Sequence, residues 1–198
     1  MAKKARLRRG LAVAAHDILR FLSAHDVPAC LIGGLAVQRW GEPRATQDVD
    51  LTVLAPFGTE ASAIDLLLGR YAGRGARARD FALRYRVLKL RAPGGEPIDV
   101  SLGALPFELE VLDRASRWRL SRGIDLIVCS AEDLLIYKLV AGRPRDLLDV
   151  EGIVRLRWRD LDLARVRSRV GEFAELLEAP DLLQPFERAL RSARASAR

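Results

Sequence analysis

Leu31-Ile32-Gly33-Gly34-Leu35-Ala36-Val37-Gln38-Arg39-Trp40-Gly41-Glu42-Pro43-Arg44-Ala45-Thr46-Gln47-Asp48-Val49-Asp50-Leu51 is the stretch on which the fold turns. Ala29 to Ile32 is a short apolar run stopped by the paired glycines, and Leu35 to Trp40 has helix-forming composition. The expected order is strand, tight glycine turn and short helix. Gly41 to Gln47 is a polar loop. From residue 48 to 54 the pattern alternates, with Val49, Leu51 and Val53 on one face and Asp48, Asp50 and Thr52 on the other. That period predicts a strand whose apolar side packs on a core and whose other side presents two carboxylates.

Upstream, Leu11, Ala14, Ala15, Ile18 and Leu22 recur at helical spacing, predicting an amphipathic helix over 11–24 that ends before Val27-Pro28. Downstream, Ala61 to Leu68 reads as a helix. Ala82 to Arg91 and Pro97 to Leu102 read as two strands joined by the turn Ala92-Pro93-Gly94-Gly95, the second strand setting Asp99 and Ser101 opposite Ile98, Val100 and Leu102. Residues 105–115 look helical, and Ile124 to Cys129 is a further strand. Ser130-Ala131-Glu132-Asp133 opens a helix that runs to Val140 and is closed by Gly142. Pro144 starts another that carries Asp146 and Asp149 to about Leu156. Helices punctuated by Pro180 and Pro185 fill residues 161–195. The predicted class is α/β (α+β): a mixed, partly antiparallel sheet with flanking helices, divided into a core over 1–128 and a helical region over 129–198 that closes the cleft.

The chemistry centres on Asp48, Asp50 and Asp99. The first two share one face of a strand, and Asp99 joins them if its own strand lies alongside. Clustered carboxylates repel, so such a group is stable mainly when cations neutralise it. Magnesium, with manganese as its substitute, suits an all-oxygen set and is commonly held by one or two carboxylates plus substrate phosphates. Two such ions stabilise both the attacking and the leaving oxygen of a phosphoryl or nucleotidyl transfer. Gly33 and Gly34 supply the complement, because a turn without Cβ atoms lets backbone N–H groups and a helix N-terminus approach a triphosphate.

The sequence has 33 Lys and Arg against 26 Asp and Glu, for a net charge of +7. Lysine occurs only at positions 3, 4, 89 and 138. Basic residues concentrate in residues 1–10 and 70–91, patches that attract phosphate-bearing partners or serve as solvated surface. Cys30 and Cys129 sit in apolar runs without metal-ligand spacing and read as reduced core residues. His16 and Asp17 cut the apolar run behind the basic N-terminus, and no stretch reaches the roughly 20 apolar residues of a membrane span, so a cytoplasmic protein without membrane association is expected. No P-loop, nucleophile elbow or dinucleotide fingerprint is present. His16 and His25 are the only histidines, which argues against zinc and histidine-based catalysis.

Gly33-Gly34, then Asp48-Val49-Asp50, then Ile98-Asp99-Val100 resembles the signature of the polymerase-beta-like nucleotidyltransferase superfamily. More narrowly, GGLAVQRWGEPRATQDVDL and AEDLLIYKLVAGRPRDLLDV resemble the AbiEii-type nucleotidyltransferases, which include toxins of toxin–antitoxin systems; the resemblance covers roughly residues 29–155. It implies metal binding by Asp48, Asp50 and Asp99, and a helical D-x-x-x-K motif followed by D-x-x-D, the latter matched by Asp146-Leu147-Leu148-Asp149. Gly34 stands where the superfamily usually carries serine, leaving backbone donors for phosphate. Asp133 lies one residue too far from Lys138 for the lysine motif, so Lys138 is carried over and Asp133 reads as part of the Ser130 cap.

Lys138 is then a phosphate ligand or a lysine that snorkels to water. Asp146 and Asp149 orient Lys138 or Arg143, take a proton from an acceptor, or complement a helix dipole. Arg44 holds phosphate and Thr46 bonds backbone, or both are loop chemistry. The function so implied is magnesium-dependent transfer of a nucleoside monophosphate from a nucleoside triphosphate to an acceptor hydroxyl. The acceptor is RNA, in particular the end of a tRNA, with protein or a small antibiotic-like molecule as alternatives, and an antitoxin protein is the expected partner. A catalytically silent nucleotide-binding module is the competing class.

Overall fold

The computed structural model describes residues 9–197, so most of the basic patch at 1–10 lies outside the described residues. The chain packs as two units. One comprises the described residues up to Leu35 together with Ala45–Cys129, and the other comprises Ala36–Arg44 and Ser130 onward.

The first unit is built on a seven-stranded mixed sheet: β1 (Ala29–Leu31), β2 (Val49–Leu54), β3 (Ala72–Gly73), β4 (Val87–Arg91), β5 (Pro97–Gly103), β6 (Ser116–Ser121) and β7 (Ile124–Val128), in spatial order β3-β4-β5-β2-β1-β7-β6. β2 runs parallel to β5 and antiparallel to β1, β1 is parallel to β7, and the outer pairs β4/β5, β3/β4 and β6/β7 are antiparallel. The expected mixed, partly antiparallel sheet is therefore present. Val49, Leu51 and Val53 of β2 and Ile98 and Val100 of β5 are fully buried, as their alternation demands. Helix α1 (Arg9–Ser23) covers this core with Leu11, Ala15, Ile18 and Leu22. Cys30 and Cys129 are buried.

Helix α2 (Gly33–Trp40) begins at the glycine pair and carries the chain into the second unit. In the first unit follow α3 (Glu60–Leu68), α4 (Ala78–Tyr85) and α5 (Pro106–Asp113). The second unit is helical, with α6 (Ala131–Ala141), α7 (Pro144–Arg157), α8 (Leu163–Leu176) and α9 (Gln184–Ala195). The Ser130 hydroxyl caps α6 by accepting from the Asp133 backbone N–H, and Gly142 ends it in the left-handed conformation with φ 61°. No helix among the described residues is long and apolar enough to cross a membrane.

The strand expected over Ala82–Arg91 is corrected. Its first half is the end of α4, and only Val87–Arg91 is extended. Ala78 and Ala82 repeat at helical spacing with Ala82 fully buried, and the switch falls at Arg86, whose φ of 55° breaks the helix. That left-handed arginine is held in place by the Glu60 carboxylate and by the carbonyls of Ala55 and Leu102. β3 and β6 were not foreseen. β3 is two residues long, and β6 is an edge strand, Ser-Arg-Trp-Arg-Leu-Ser, whose burial is shallow throughout. Its signal was the alternation of Arg117 and Arg119 with Trp118 and Leu120 ahead of Gly123, a glycine at φ 78°.

Candidate active site

In the first unit the acidic edge is set by strand register. β2 and β5 pair in parallel with Asp50 opposite Asp99, and Asp48 precedes β2 by one residue. All three aspartates are half-buried, so water and small ligands reach them. The sheet thus places Asp50 beside Asp99, with Asp48 two residues ahead of Asp50 along the chain.

The glycine turn packs directly against this edge. Gly33 has φ 62°, and a Cβ there would fall 2.6 Å from the Asp50 Cβ. Only glycine satisfies both the left-handed backbone and the close approach. The Gly34 N–H donates to Asp50 Oδ2 at 3.3 Å, which ties the first turn of α2 to the carboxylate. The Thr46 hydroxyl donates to Asp48 Oδ1 at 3.1 Å and is itself buried.

Thr46 also explains Gly34. A Cβ added at Gly34 would lie 2.8 Å from the Thr46 Cβ and closer still to its hydroxyl, so the space a serine would enter is occupied by another hydroxyl. Gly34→Ser is therefore expected to lower the unfolding midpoint by an overpacking cost of about 1–3 kcal/mol and to reduce transfer. Thermal unfolding beside a nucleotide-transfer assay reads both. A serine variant as stable and more active than the parent contradicts this geometry.

Asp99 already faces cations. It forms an ion pair with Arg74, and Lys89 Nζ stands 3.9 Å from its Oδ2. Among the described residues no three His, Cys, Asp or Glu side chains close around a common point as a metal cage. The donor types nevertheless fit a hard divalent ion, since all three are half-exposed carboxylates, and Arg74 pairs with Asp99.

The second unit holds a separate charged cluster. Lys138 Nζ donates to Asp146 Oδ1 at 2.7 Å and lies 2.9 Å from Asp149 Oδ2. Its side chain is only 7% exposed, which overturns the snorkelling alternative. Arg44 grips Asp149 with both ends of its fork, Nε to Oδ1 at 2.5 Å and Nη2 to Oδ2 at 2.7 Å. Arg143 Nε donates to Asp146 Oδ2 at 2.5 Å while its side chain stays largely exposed. Burial opposes ionisation of both aspartates, yet the hydrogen bonds from Arg143 and Lys138 to Asp146, and from Arg44 and Lys138 to Asp149, hold each below the usual carboxylate range.

Asp133 stands apart from this cluster. It is fully buried, accepts from the Ser130 hydroxyl at 2.8 Å and pairs with Arg165 of α8 at 2.8 Å. Its place is a helix start and a helix-to-helix tie. Sequence reasoning missed Arg74 and Lys89 as the cations on Asp99; the basic density of residues 70–91 was their only signal.

The family described as nucleotidyl transferase AbiEii toxin, type IV TA system, matches residues 18–196, nearly the whole chain. The chain belongs to the AbiEii nucleotidyltransferase family. No curated protein sequence matches it significantly. Among solved structures it is similar to an antigenic nucleotidyltransferase-like protein from Paracoccidioides brasiliensis, with TM-score 0.52, 18% identity and coverage of 89% of this chain and 92% of that one. It also aligns with the lincomycin-bound lincosamide antibiotic adenylyltransferase LnuA (TM-score 0.46, 16% identity, 74% and 98% of the two chains) and with the Thermotoga maritima CCA-adding enzyme complexed with tRNA (0.38, 15%, 91% and 46%). The first of these shares the nucleotidyltransferase fold. This AbiEii protein is accordingly a nucleotidyltransferase enzyme.

Proposed function

We propose that this AbiEii nucleotidyltransferase moves a nucleoside monophosphate from a nucleoside triphosphate to a hydroxyl of RNA in a reaction that depends on magnesium or manganese. The observation that carries the reading is the parallel register of Asp50 with Asp99, with Asp48 adjacent and the Gly33-Gly34 turn packed on Asp50. A donor set of three carboxylates beside a backbone turn suits a metal–triphosphate better than either feature alone.

Asp48 and Asp50, with Asp99, are the residues that would hold the metal. When bound, the divalent ion supplies Lewis-acid stabilisation of the attacking and leaving oxygens. The chain's own groups do the rest. Gly33 and Gly34 let the triphosphate approach the start of α2, where backbone N–H groups and the helix dipole favour anions. Thr46 holds Asp48 in orientation. Asp99 takes the proton of the acceptor hydroxyl as its oxygen bonds to the α-phosphorus, and the bond from that phosphorus to the bridging oxygen breaks to release pyrophosphate. In the helical unit Arg44, Lys138 and Arg143 pair with Asp146 and Asp149, and Lys138 is the phosphate ligand of the reading.

RNA is the preferred acceptor because two cations of the basic stretch 70–91, Arg74 and Lys89, stand beside Asp99. The toxin description of the family supports a cognate antitoxin as partner. Incubating the protein with each labelled nucleoside triphosphate, magnesium and total RNA tests the reading. Labelled RNA that disappears on chelation supports it. Label on protein or on a small molecule alone overturns the RNA acceptor, and no label on any acceptor favours a silent nucleotide-binding module.

A further inference from the structure

The basic stretch 70–91 divides sharply in the structure. Arg70 pairs with Asp17, Arg79 with Asp65 and Arg86 with Glu60, so these arginines fasten elements of the first unit to one another. Arg77, Arg84 and Lys89 are exposed. Between them α4 presents two aromatic side chains one helical turn apart, Phe81 and Tyr85, 41% and 55% exposed. Their ring centroids are 4.7 Å apart at an interplanar angle of 43°. Arg84 lies over the Tyr85 ring at 5.3 Å, and Lys89 lies 6.0 Å from the Phe81 centroid.

The residue that α4 buries is Ala82, and Phe81 and Tyr85 keep much of their ring surface in solvent. Half-exposed aromatics flanked by cations form the combination that binds unpaired bases: a stacking face with phosphate-seeking charge on its rim. The platform also connects to the acidic edge, because the Lys89 ammonium that lies over Phe81 is the one 3.9 Å from Asp99 Oδ2. A strand whose bases stack on Phe81 and Tyr85 runs its backbone past Lys89 toward the aspartates.

We propose that Phe81 and Tyr85, rimmed by Arg77, Arg84 and Lys89, are the docking platform for the unpaired end of the RNA acceptor. The inference rests on the RNA-acceptor reading and adds to it a site and a substrate form, since stacking on side chains requires bases free of a duplex. Charge selects any nucleic acid, and the aromatic pair selects single strands.

The test is the double variant Phe81→Ala/Tyr85→Ala in the full chain, with a fluorescein-labelled single-stranded RNA on the order of ten nucleotides long as the probe. Each stacked base lost is expected to weaken RNA binding by about 5- to 150-fold. Triphosphate affinity is expected to stay unchanged, and Phe81→Trp/Tyr85→Trp to bind at least as well as the parent. Tyr85→Ala alone, at the more exposed position, gives the same reading should the pair disturb α4. Unchanged single-strand affinity in these variants overturns the platform, as does an equal loss for a duplex of the same length. The two levels of the proposal fail differently. A parent protein that binds triphosphate and labels a non-RNA acceptor defeats the RNA reading itself, whereas RNA labelled equally by parent and double variant defeats the platform alone.

Discussion

Asp50→Asn is expected to reduce nucleotide transfer by more than about 100-fold while leaving the protein folded. Even the outer-shell partners of a bound metal are worth about 10–100-fold, so removing charge from a direct ligand costs more. The substitution is nearly isosteric, and its amide oxygen still accepts the Gly34 N–H, so the glycine turn keeps its anchor. Removing one charge from the row formed with Asp48 and Asp99 relieves repulsion, and the unfolding midpoint is expected to hold or rise slightly. Asp133→Asn is the informative contrast. Asp133 is fully buried and tied to Arg165 and Ser130, so its loss shows as destabilisation and not as a selective loss of turnover. Labelled-triphosphate transfer measured beside thermal unfolding distinguishes them. Undiminished turnover in Asp50→Asn removes the three aspartates from the mechanism.

Much of this arrangement was legible along the chain because it is written at short range. The alternation about Asp48 and Asp50 required a strand with one acidic face, Gly33-Gly34 a tight turn, and Ser130 a helix start. Period and punctuation report such features directly. The placement of β5 beside β2 was another matter. The alternation of Ile98 to Leu102 shows that Asp99 lies opposite the apolar face of its strand, but not which strand it neighbours or that its partner is Asp50. The ion pairs lay further still from view. Arg74 finds Asp99 across 25 residues and Arg44 finds Asp149 across 105, separations at which only the closed fold specifies a partner. The failure at Ala82–Arg91 has both a local and a distant cause. An apolar-rich segment supports either a helix or a strand, and the left-handed arginine that separates the two depends on Glu60, Ala55 and Leu102, which come from elsewhere in the chain.

Lys138→Met is expected to destabilise the helical unit by about 3–5 kcal/mol, the range found when one partner of a buried ion pair is removed. Methionine keeps the length of the side chain and most of its packing, so the loss is electrostatic. Without the ammonium shared by Asp146 Oδ1 and Asp149 Oδ2, two buried carboxylates one turn apart on α7 are left to Arg143, whose side chain is 74% exposed, and to Arg44. The urea midpoint should fall with the slope unchanged. Adding Asp146→Asn should recover part of the loss by restoring the charge balance. The pH dependence follows in sign. Both aspartates titrate below their unfolded value of about 3.9 in the parent, so the stability they contribute is complete above about pH 4 and disappears as pH falls through their folded values. The gap between parent and variant should therefore be widest near neutrality and narrow as pH falls through the aspartates' lowered folded values, where protonated carboxyls no longer need the lysine. A Lys138→Met protein within about 1 kcal/mol of the parent at pH 7 would show that Arg44 and Arg143 alone suffice to neutralise the pair. In that case Lys138 is held for ligand charge and not for folding, and the same variant's weakened triphosphate binding becomes the measurement that assigns it.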